Sequence, residues 1–273
     1  MKKKFIKMHG LGNDFAIFDG RDKSFDIPAV RIRELGDRRT GIGFDQLVII
    51  DPPKAPGVTD AFLRIFNSDG GEVGACGNAT RCIAALLAKE LNKNSIMLET
   101  KAAKLEGVIA GDKIRIDMGN VYLEWKEIPI SCSENTLSLP LAVGALKNPV
   151  AVNVGNPHAV FFLPEIQDIP LEELGPQVEM NPLFPERVNV EVAEVISPDR
   201  IRMRVWERGA GITRACGTGA CAVAVAGVRR GLTRRKVTVM LDGGELDIEW
   251  RESDNHVLMT GPVAESYRGE VDL

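Results

Sequence analysis

The sequence predicts an α+β fold of two pseudo-symmetric domains, each a mostly antiparallel sheet or barrel wrapped around a central helix. Three observations lead to this prediction. Two motifs recur in both halves in the same order, each copy of one motif ends in Ala-Cys-Gly before an apolar helical run, and short alternating segments separated by Gly and Pro fill the remainder. The length of 273 residues suits two modest domains.

The internal repeat is visible when the two halves are aligned. At an offset of about 140 positions, RIFNSDGGEVGACG at 64–77 matches RVWERGAGITRACG at 204–217, with a glycine-rich turn before each cysteine. At nearly the same offset, GNDFAIF at 12–18 matches GNPHAVF at 155–161. Because both matches keep the same order, we expect two related folds with a boundary near 119–120.

Each repeat predicts the order strand, loop, cysteine, helix. Alternating apolar residues predict strands at 61–66 and 200–206, and each strand leads into a glycine-rich loop. Apolar residues at helical spacing predict an amphipathic helix at 79–91, whereas 220–228 is apolar all round and predicts a buried helix. Further strands are predicted at 113–118, 150–154, 236–241 and 245–250.

Charge and composition narrow the class of protein. Lys and Arg total 34 against 38 Asp and Glu, a net charge of −4, so no overall basic field favours nucleic acid or an anionic membrane. The basic cluster at 229–236 follows a helical run and contains Gly231, which favours cations at a capped helix C-terminus over a phosphate site. The sequence predicts neither a signal peptide nor a membrane span, and its five cysteines form no Cys-x-x-Cys pair, which fits a reducing cytoplasm.

Cys76 and Cys216 are the candidate chemical groups, since both are predicted at helix N-termini. Unpaired N–H groups and the positive end of the helix dipole bind a carboxylate and stabilise a thiolate, so we expect a thiol pKa below the ordinary value of about 8.5. Two related thiols on opposite sides of a small ligand are suited to remove a proton from one face of an α-carbon and return one to the other. Cys82, Cys132 and Cys221 are interpreted as small buried hydrophobic residues, and the helical positions of Cys82 and Cys221 count against a four-cysteine zinc site.

Several motifs together resemble the diaminopimelate epimerase family, from residue 5 to about residue 262. They are MHGLGNDF at 8–15, FNSDG at 66–70 followed by CGNATRC at 76–82, GNPH at 155–158, and ERGAG at 207–211 followed by ACGTGAC at 215–221. The resemblance implies an isomerase that interconverts LL- and meso-diaminopimelate without pyridoxal phosphate or metal, on the route to lysine and the bacterial cell wall. It also implies that the C-terminal tail returns to the first domain, giving domains of 1–119 with 263–273 and of 120–262.

The resemblance also implies roles for individual residues. Cys76 and Cys216 would be the acid and base, with His158 and Glu207 assisting. The residues implied to bind substrate by side chain or backbone amide are Asn13, Gln46, Asn67, Gly77, Asn78, Asn156, Asn189, Glu207, Arg208, Gly217 and Thr218. Ala79 stands where the family often has Gly, and we expect its methyl group to narrow the helix entrance slightly.

Two alternatives remain open. A related two-cysteine racemase could act on proline or hydroxyproline, although Arg208 and the asparagines match a substrate with a second amino-acid head. A non-catalytic thiol switch or metal-binding protein could instead pair Cys76 with Cys216 or share an ion between them. The expected partner is a small amino-acid substrate with no cofactor, no metal, no nucleic acid and no membrane, and a homodimer is left open.

Overall fold

The computed structural model describes residues 2–273 and divides the chain into two compact units. Unit 1 comprises Met1–Asp117 with Gly261–Leu273, and unit 2 comprises Met118–Thr260. The first elements are β1 (Lys2–Gly10), β2 (Asn13–Asp19), α1 (Ala29–Gly36), β3 (Gln46–Asp51), β4 (Ala61–Asn67), β5 (Glu72–Val73), α2 (Gly77–Leu91), β6 (Ser95–Glu99), β7 (Lys104–Ala110) and β8 (Lys113–Asn120). They are followed by β9 (Ala142–Val143), β10 (Leu146–Lys147), β11 (Val150–Asn153), β12 (Pro157–Phe162), α3 (Leu171–Glu179), β13 (Asn189–Ser197), β14 (Arg200–Glu207), β15 (Gly211–Ile212), α4 (Gly217–Arg229), β16 (Lys236–Leu241), β17 (Gly244–Trp250), β18 (His256–Gly261) and β19 (Ala264–Asp272).

Unit 1 is a mixed sheet packed on helix α2. Strand β2 is antiparallel to β1 and parallel to β3, while β4 is antiparallel to β3 and β5 and parallel to β6. Strands β6, β7 and β8 continue as an antiparallel meander. Helix α2 packs against β1, β6 and β7, and β19 adds an antiparallel strand to β1.

Unit 2 repeats the pairing scheme of β1–β8 with strands β11–β18. Strand β12 is antiparallel to β11 and parallel to β13, while β14 is antiparallel to β13 and β15 and parallel to β16. Strands β16, β17 and β18 form the second meander, and α4 packs against β11, β16 and β17. The structure thus confirms the predicted fold class, with more parallel pairing than expected, and it gives the two halves the same topology.

The two predicted helices are confirmed, and both begin at the glycine after the cysteine. Helix α2 ends where Asn92 adopts the left-handed conformation at φ 53°, a common helix C-terminus. Helix α4 is buried along nearly its whole length, as its apolar composition predicts. Gly231 follows α4 at φ 68°, which a side chain would strain.

The basic cluster after α4 binds other parts of unit 2. The Arg229 guanidinium donates to the carbonyl oxygens of Thr136 and Ala151, at 3.4 and 2.9 Å. Arg234 forms a salt bridge with Asp199 at 2.7 Å, and Arg235 stacks 4.4 Å from the Trp250 ring centre. These contacts support a structural role for the cluster. Within residues 2–273, no helix is both long and apolar enough to cross a membrane.

The remaining cysteines differ from one another in burial. Cys82 and Cys221 are fully buried in α2 and α4, as predicted, and burial raises the pKa of Cys82 to about 12. The interpretation of Cys132 as a buried residue is wrong. Cys132 is exposed because it lies in an irregular loop, with its Sγ 3.8 Å from the Glu134 carboxylate, and not on a packed face of a helix or strand.

Candidate active site

Cys76 lies at the N-cap of α2, in extended backbone conformation, as the sequence predicts. Its Sγ is 3.9 Å from Oδ1 of Asn13, the first residue of β2, and Asn78 donates to the same oxygen at 3.1 Å. The β1–β2 turn, with Leu11 and Gly12 at positive φ, brings Asn13 to this position. Unit 1 therefore brings Asn13, Cys76 and Asn78 together around the start of one helix.

An ionic network fixes the orientation of Asn13. Its amide donates to Asp45 Oδ2 at 2.9 Å, and Asp45 and Asp14 also accept from each other's backbone N–H. Lys7 donates to Asp14 at 2.6 Å, and Arg38 donates to Asp14 and to Asp45. Burial disfavours the charged form of Asp14, but hydrogen bonds from Arg38 and Lys7 outweigh it and hold the pKa below its usual range.

Gln46 and Asn67 form a second polar pair in unit 1. They are register partners at the start of β3 and the end of β4, and Gln46 donates to Asn67 Oδ1 at 3.0 Å. The Gln46 Oε1 atom is buried and has no hydrogen-bond partner within residues 2–273. A buried acceptor without a donor is costly, so this atom is suited to a donor supplied by a ligand.

Cys216 occupies the equivalent N-cap of α4, also in extended conformation. Its Sγ accepts from the Gly219 N–H at 3.3 Å and lies 3.5 Å from the Thr218 hydroxyl. The negative charge of the nearby Glu207 carboxylate raises the pKa of the thiol, and this carboxylate accepts a hydrogen bond from Thr213. The end of β14 therefore brings Glu207 to the start of α4.

The expectation of a lowered thiol pKa is wrong for Cys216. Burial raises its pKa well above the ordinary value, and the nearby carboxylates of Glu207 and Glu191 raise it further. Burial likewise raises the pKa of Glu207, although its hydrogen bond from Thr213 partly opposes this. The helix N-terminus is present as predicted, but desolvation and negative neighbours outweigh its effect and favour the neutral thiol over the thiolate.

His158 is completely buried beside two oxygen acceptors. Its Nδ1 lies 2.7 Å from Glu191 Oε1, and its Nε2 lies 2.9 Å from Asn156 Oδ1. Asn156 precedes β12 and His158 is its second residue, so one short segment carries both side chains. Glu191 is also fully buried and was not predicted from the sequence.

Asn189, the register partner of His158, contacts the backbone of Arg208. The Asn189 amide donates to the Pro157 carbonyl at 2.9 Å, and its Oδ1 accepts from the Arg208 N–H at 2.9 Å. The exposed Arg208 guanidinium donates to the Glu186 carbonyl. Glu179 at the end of α3 supports the turn by accepting from the Gly209 N–H at 3.1 Å.

Comparison with known proteins assigns the family. A family model described as "Diaminopimelate epimerase" matches residues 5–124 and 150–265. Proteins named diaminopimelate epimerase from Erythrobacter litoralis (strain HTCC2594) and Rhodospirillum centenum (strain ATCC 51521 / SW) are 50% and 49% identical to this chain. The first alignment covers 100% of this chain and 98% of the relative, and the second covers 99% and 93%. The chain belongs to the diaminopimelate epimerase family.

Solved structures show that this family member shares its fold with more distant proteins. A phenazine biosynthesis protein of the PhzF family from Bacillus anthracis aligns with a TM-score of 0.70 at 17% identity, covering 100% of both chains. A hydroxyproline epimerase from Agrobacterium vitis also gives 0.70, at 16% identity, covering 100% of this chain and 93% of that one. At such identities the likeness concerns the fold alone.

Proposed function

We propose that this chain interconverts LL- and meso-diaminopimelate by proton transfer at one α-carbon between two thiols. The observation that carries the proposal is the placement of Cys76 and Cys216 at the N-caps of equivalent helices in a repeated fold. One thiol removes the α-proton as a thiolate and the other delivers a proton, so the configuration at carbon inverts. The full-length similarity to diaminopimelate epimerases supports this assignment.

The residues around Cys216 in unit 2, here called the half-site of unit 2, are suited to proton delivery. The half-site of unit 1 is the corresponding group around Cys76. The raised pKa of Cys216 keeps its proton on sulfur, and the Glu207 carboxylate is close enough to the thiol to raise that pKa. Glu207, at the end of β14, therefore assists by exchanging protons with Cys216, and His158 assists from β12. In the reverse direction Cys216 acts as base and passes its proton towards Glu207.

The remaining residues hold the substrate. The first-turn amides at Gly77, Asn78, Gly217 and Thr218 face the reacting carboxylate, because early N–H groups of a helix have no intrahelical acceptor. The side chains that bind the polar ends are Asn13, Gln46, Asn67, Asn156, Asn189, Glu207 and Arg208. The buried Gln46 Oε1 suits an ammonium donor, and the exposed Arg208 guanidinium suits the carboxylate of the second amino-acid head.

The cellular context is part of the proposal. The activity serves lysine and peptidoglycan precursor synthesis in the cytoplasm, without pyridoxal phosphate or metal, and the two units act as domains with limits of 1–119 plus 263–273 and 120–262. A homodimer is the proposed assembly to test by light scattering.

The decisive experiment is incubation of the purified, reduced protein with LL-diaminopimelate and separation of the stereoisomers. We expect meso-diaminopimelate to accumulate to equilibrium with or without chelator, while L-proline and trans-4-hydroxy-L-proline remain unchanged. Epimerisation of the cyclic substrates would instead support a proline-type racemase. Loss of activity with chelator would support the metal-binding alternative.

Alanine substitutions test the two-thiol assignment. Cys76→Ala and Cys216→Ala are each expected to abolish epimerisation and leave the far-ultraviolet circular dichroism unchanged. The Cys82→Ala, Cys132→Ala and Cys221→Ala variants are the matched controls and should remain active. Full activity in either of the first two variants would exclude the proposed roles.

A further inference from the structure

The internal repeat allows each residue of one half-site to be compared with its counterpart in the other. Strands β2 and β3 pair Phe15 with Gln46, and strands β12 and β13 pair His158 with Asn189. The same registers place Val48 of β3 at the position that Glu191 occupies in β13. The His158–Glu191 pair of unit 2 is therefore a Phe15–Val48 pair in unit 1.

This comparison shows that the fold does not need a polar pair at these positions. Phe15 and Val48 are both fully buried in unit 1, as are His158 and Glu191 in unit 2. Burying a carboxylate and an imidazole costs more than burying apolar side chains of similar size, even when they form a hydrogen bond. A buried His–Glu pair where the repeat has apolar residues therefore points to a chemical role.

Glu191 is also in the immediate surroundings of Cys216. A Cβ atom added at Gly219 would lie 2.9 Å from Glu191 Oε1 and 3.3 Å from Cys216 Sγ, so both atoms neighbour the same helical position. Unit 1 has Ala79 at the equivalent position of α2, and Val48 where unit 2 has the carboxylate of Glu191. Glycine at 219 thus leaves room for the carboxylate of Glu191.

We propose that Glu191 is a positioning residue: it accepts the Nδ1–H of His158, so that Nε2 is the only ring nitrogen through which His158 exchanges a proton. The 2.7 Å contact joins Nδ1 to a carboxylate, which can only accept a hydrogen bond. The 2.9 Å contact joins Nε2 to the Asn156 amide, which can present either its oxygen or its NH2 group and so pairs with Nε2 in both protonation states. An acceptor on one imidazole nitrogen fixes which nitrogen is free for chemistry. The inference rests on the proposed function, which gives His158 its part in the reaction.

The first test is spectroscopic and needs no activity. The chain has three histidines, so ¹⁵N-histidine labelling gives few imidazole signals, and His158→Asn identifies the signal of His158. Long-range ¹H–¹⁵N spectra should show His158 protonated at Nδ1 in the wild type. Glu191→Val should shift it towards the form protonated at Nε2, while Glu191→Gln, which keeps an acceptor, should retain the wild-type form. A wild-type spectrum dominated by the Nε2-protonated neutral ring would overturn the proposal.

The second test is kinetic. Glu191→Val should lower kcat at least about tenfold and change KM less than about threefold, with Glu191→Gln retaining more of the activity. Because Glu191 acts through His158, the double variant His158→Phe/Glu191→Val should have a kcat no lower than that of His158→Phe alone. The double variant reproduces in unit 2 the Phe–Val pair of unit 1. If His158→Phe does not fold, His158→Asn replaces it in the comparison. Additive losses in kcat would contradict the proposal.

A carboxylate elsewhere on β13 provides the control variant. Glu194→Val changes a partly exposed carboxylate three positions along β13, on the opposite face, and should leave both the spectrum and kcat unchanged. If the wild type shows the Nδ1-protonated ring but no epimerisation of any substrate, the proposed function fails and the His158–Glu191 pairing stands. If epimerisation is normal in Glu191→Val, the positioning role fails and the proposed function stands.

Discussion

Substitution of Gly219 by alanine should separate catalysis from stability. The added Cβ would lie 2.9 Å from Glu191 Oε1 and 3.3 Å from the Cys216 side chain, so at least one of them must move. Alanine gains about 1 kcal/mol in helix propensity over glycine. Overpacking a core costs about 1–3 kcal/mol, so the net loss of stability is between roughly zero and 2 kcal/mol.

Gly219→Ala is therefore expected to change Tm little and kcat strongly. For a chain of this size each kcal/mol shifts Tm by about 2–4 °C, so Gly219→Ala should melt within about 8 °C of the wild type. Its kcat should fall at least about tenfold, because the displaced groups surround the reacting thiol. Calorimetry gives Tm, and chiral chromatography of the diaminopimelate isomers gives kcat.

The repeat supplies the control for this experiment. Ala79→Gly alters the equivalent position of α2, where Ala79 is fully buried and the counterpart of Glu191 is the apolar Val48. It should lower stability by about 1 kcal/mol or somewhat more and reduce kcat much less than Gly219→Ala does. A Gly219→Ala enzyme with wild-type kcat would refute the reasoning, since the carboxylate and thiol could then move without consequence.

Three other predictions follow from the two half-sites. In heavy water, early product should carry deuterium at the inverted carbon, while recovered substrate should keep its original hydrogen. Mass spectrometry of the separated isomers measures both. Substantial transfer of the original hydrogen into product would exclude a mechanism with two monoprotic bases. Asp14→Asn should lower the free energy of unfolding in urea by about 1–3 kcal/mol at neutral pH. Because the folded-state pKa of Asp14 is lowered, this difference should narrow as pH falls below about 4, and a difference independent of pH would contradict the role of the charge. Glu207→Gln removes a carboxylate that raises the pKa of Cys216. The pH midpoint for alkylation of Cys216, measured by peptide mass spectrometry, should therefore move to lower pH. An unchanged midpoint would argue against that electrostatic effect.

The sequence was informative wherever a local pattern repeated. Both helices and the positions of Cys76 and Cys216 followed from Ala-Cys-Gly before an apolar run, because helix starts depend on nearby residues. Cys132 was misjudged because irregular loops carry no periodic signal from which burial can be inferred.

Other features depend on tertiary structure. The pKa of Cys216 could not be predicted from its helix alone, since the decisive groups come from β13 and β14 and from burial. Glu191 is one of two glutamates in β13, and Asp45 lies in the segment before β3, so neither stood out as part of a motif. Alignment of the repeats could have identified Glu191, because its counterpart is Val48.

The difference between Phe15–Val48 and His158–Glu191 has a consequence for how such an enzyme can evolve. In a homodimer of identical halves, symmetry copies every substitution into both subunits, so both half-sites would carry the polar pair or neither would. A single chain with two diverged halves escapes this restriction. Within one chain, each thiol can thus acquire its own neighbouring groups, so the proposed acid and base are free to become chemically unequal.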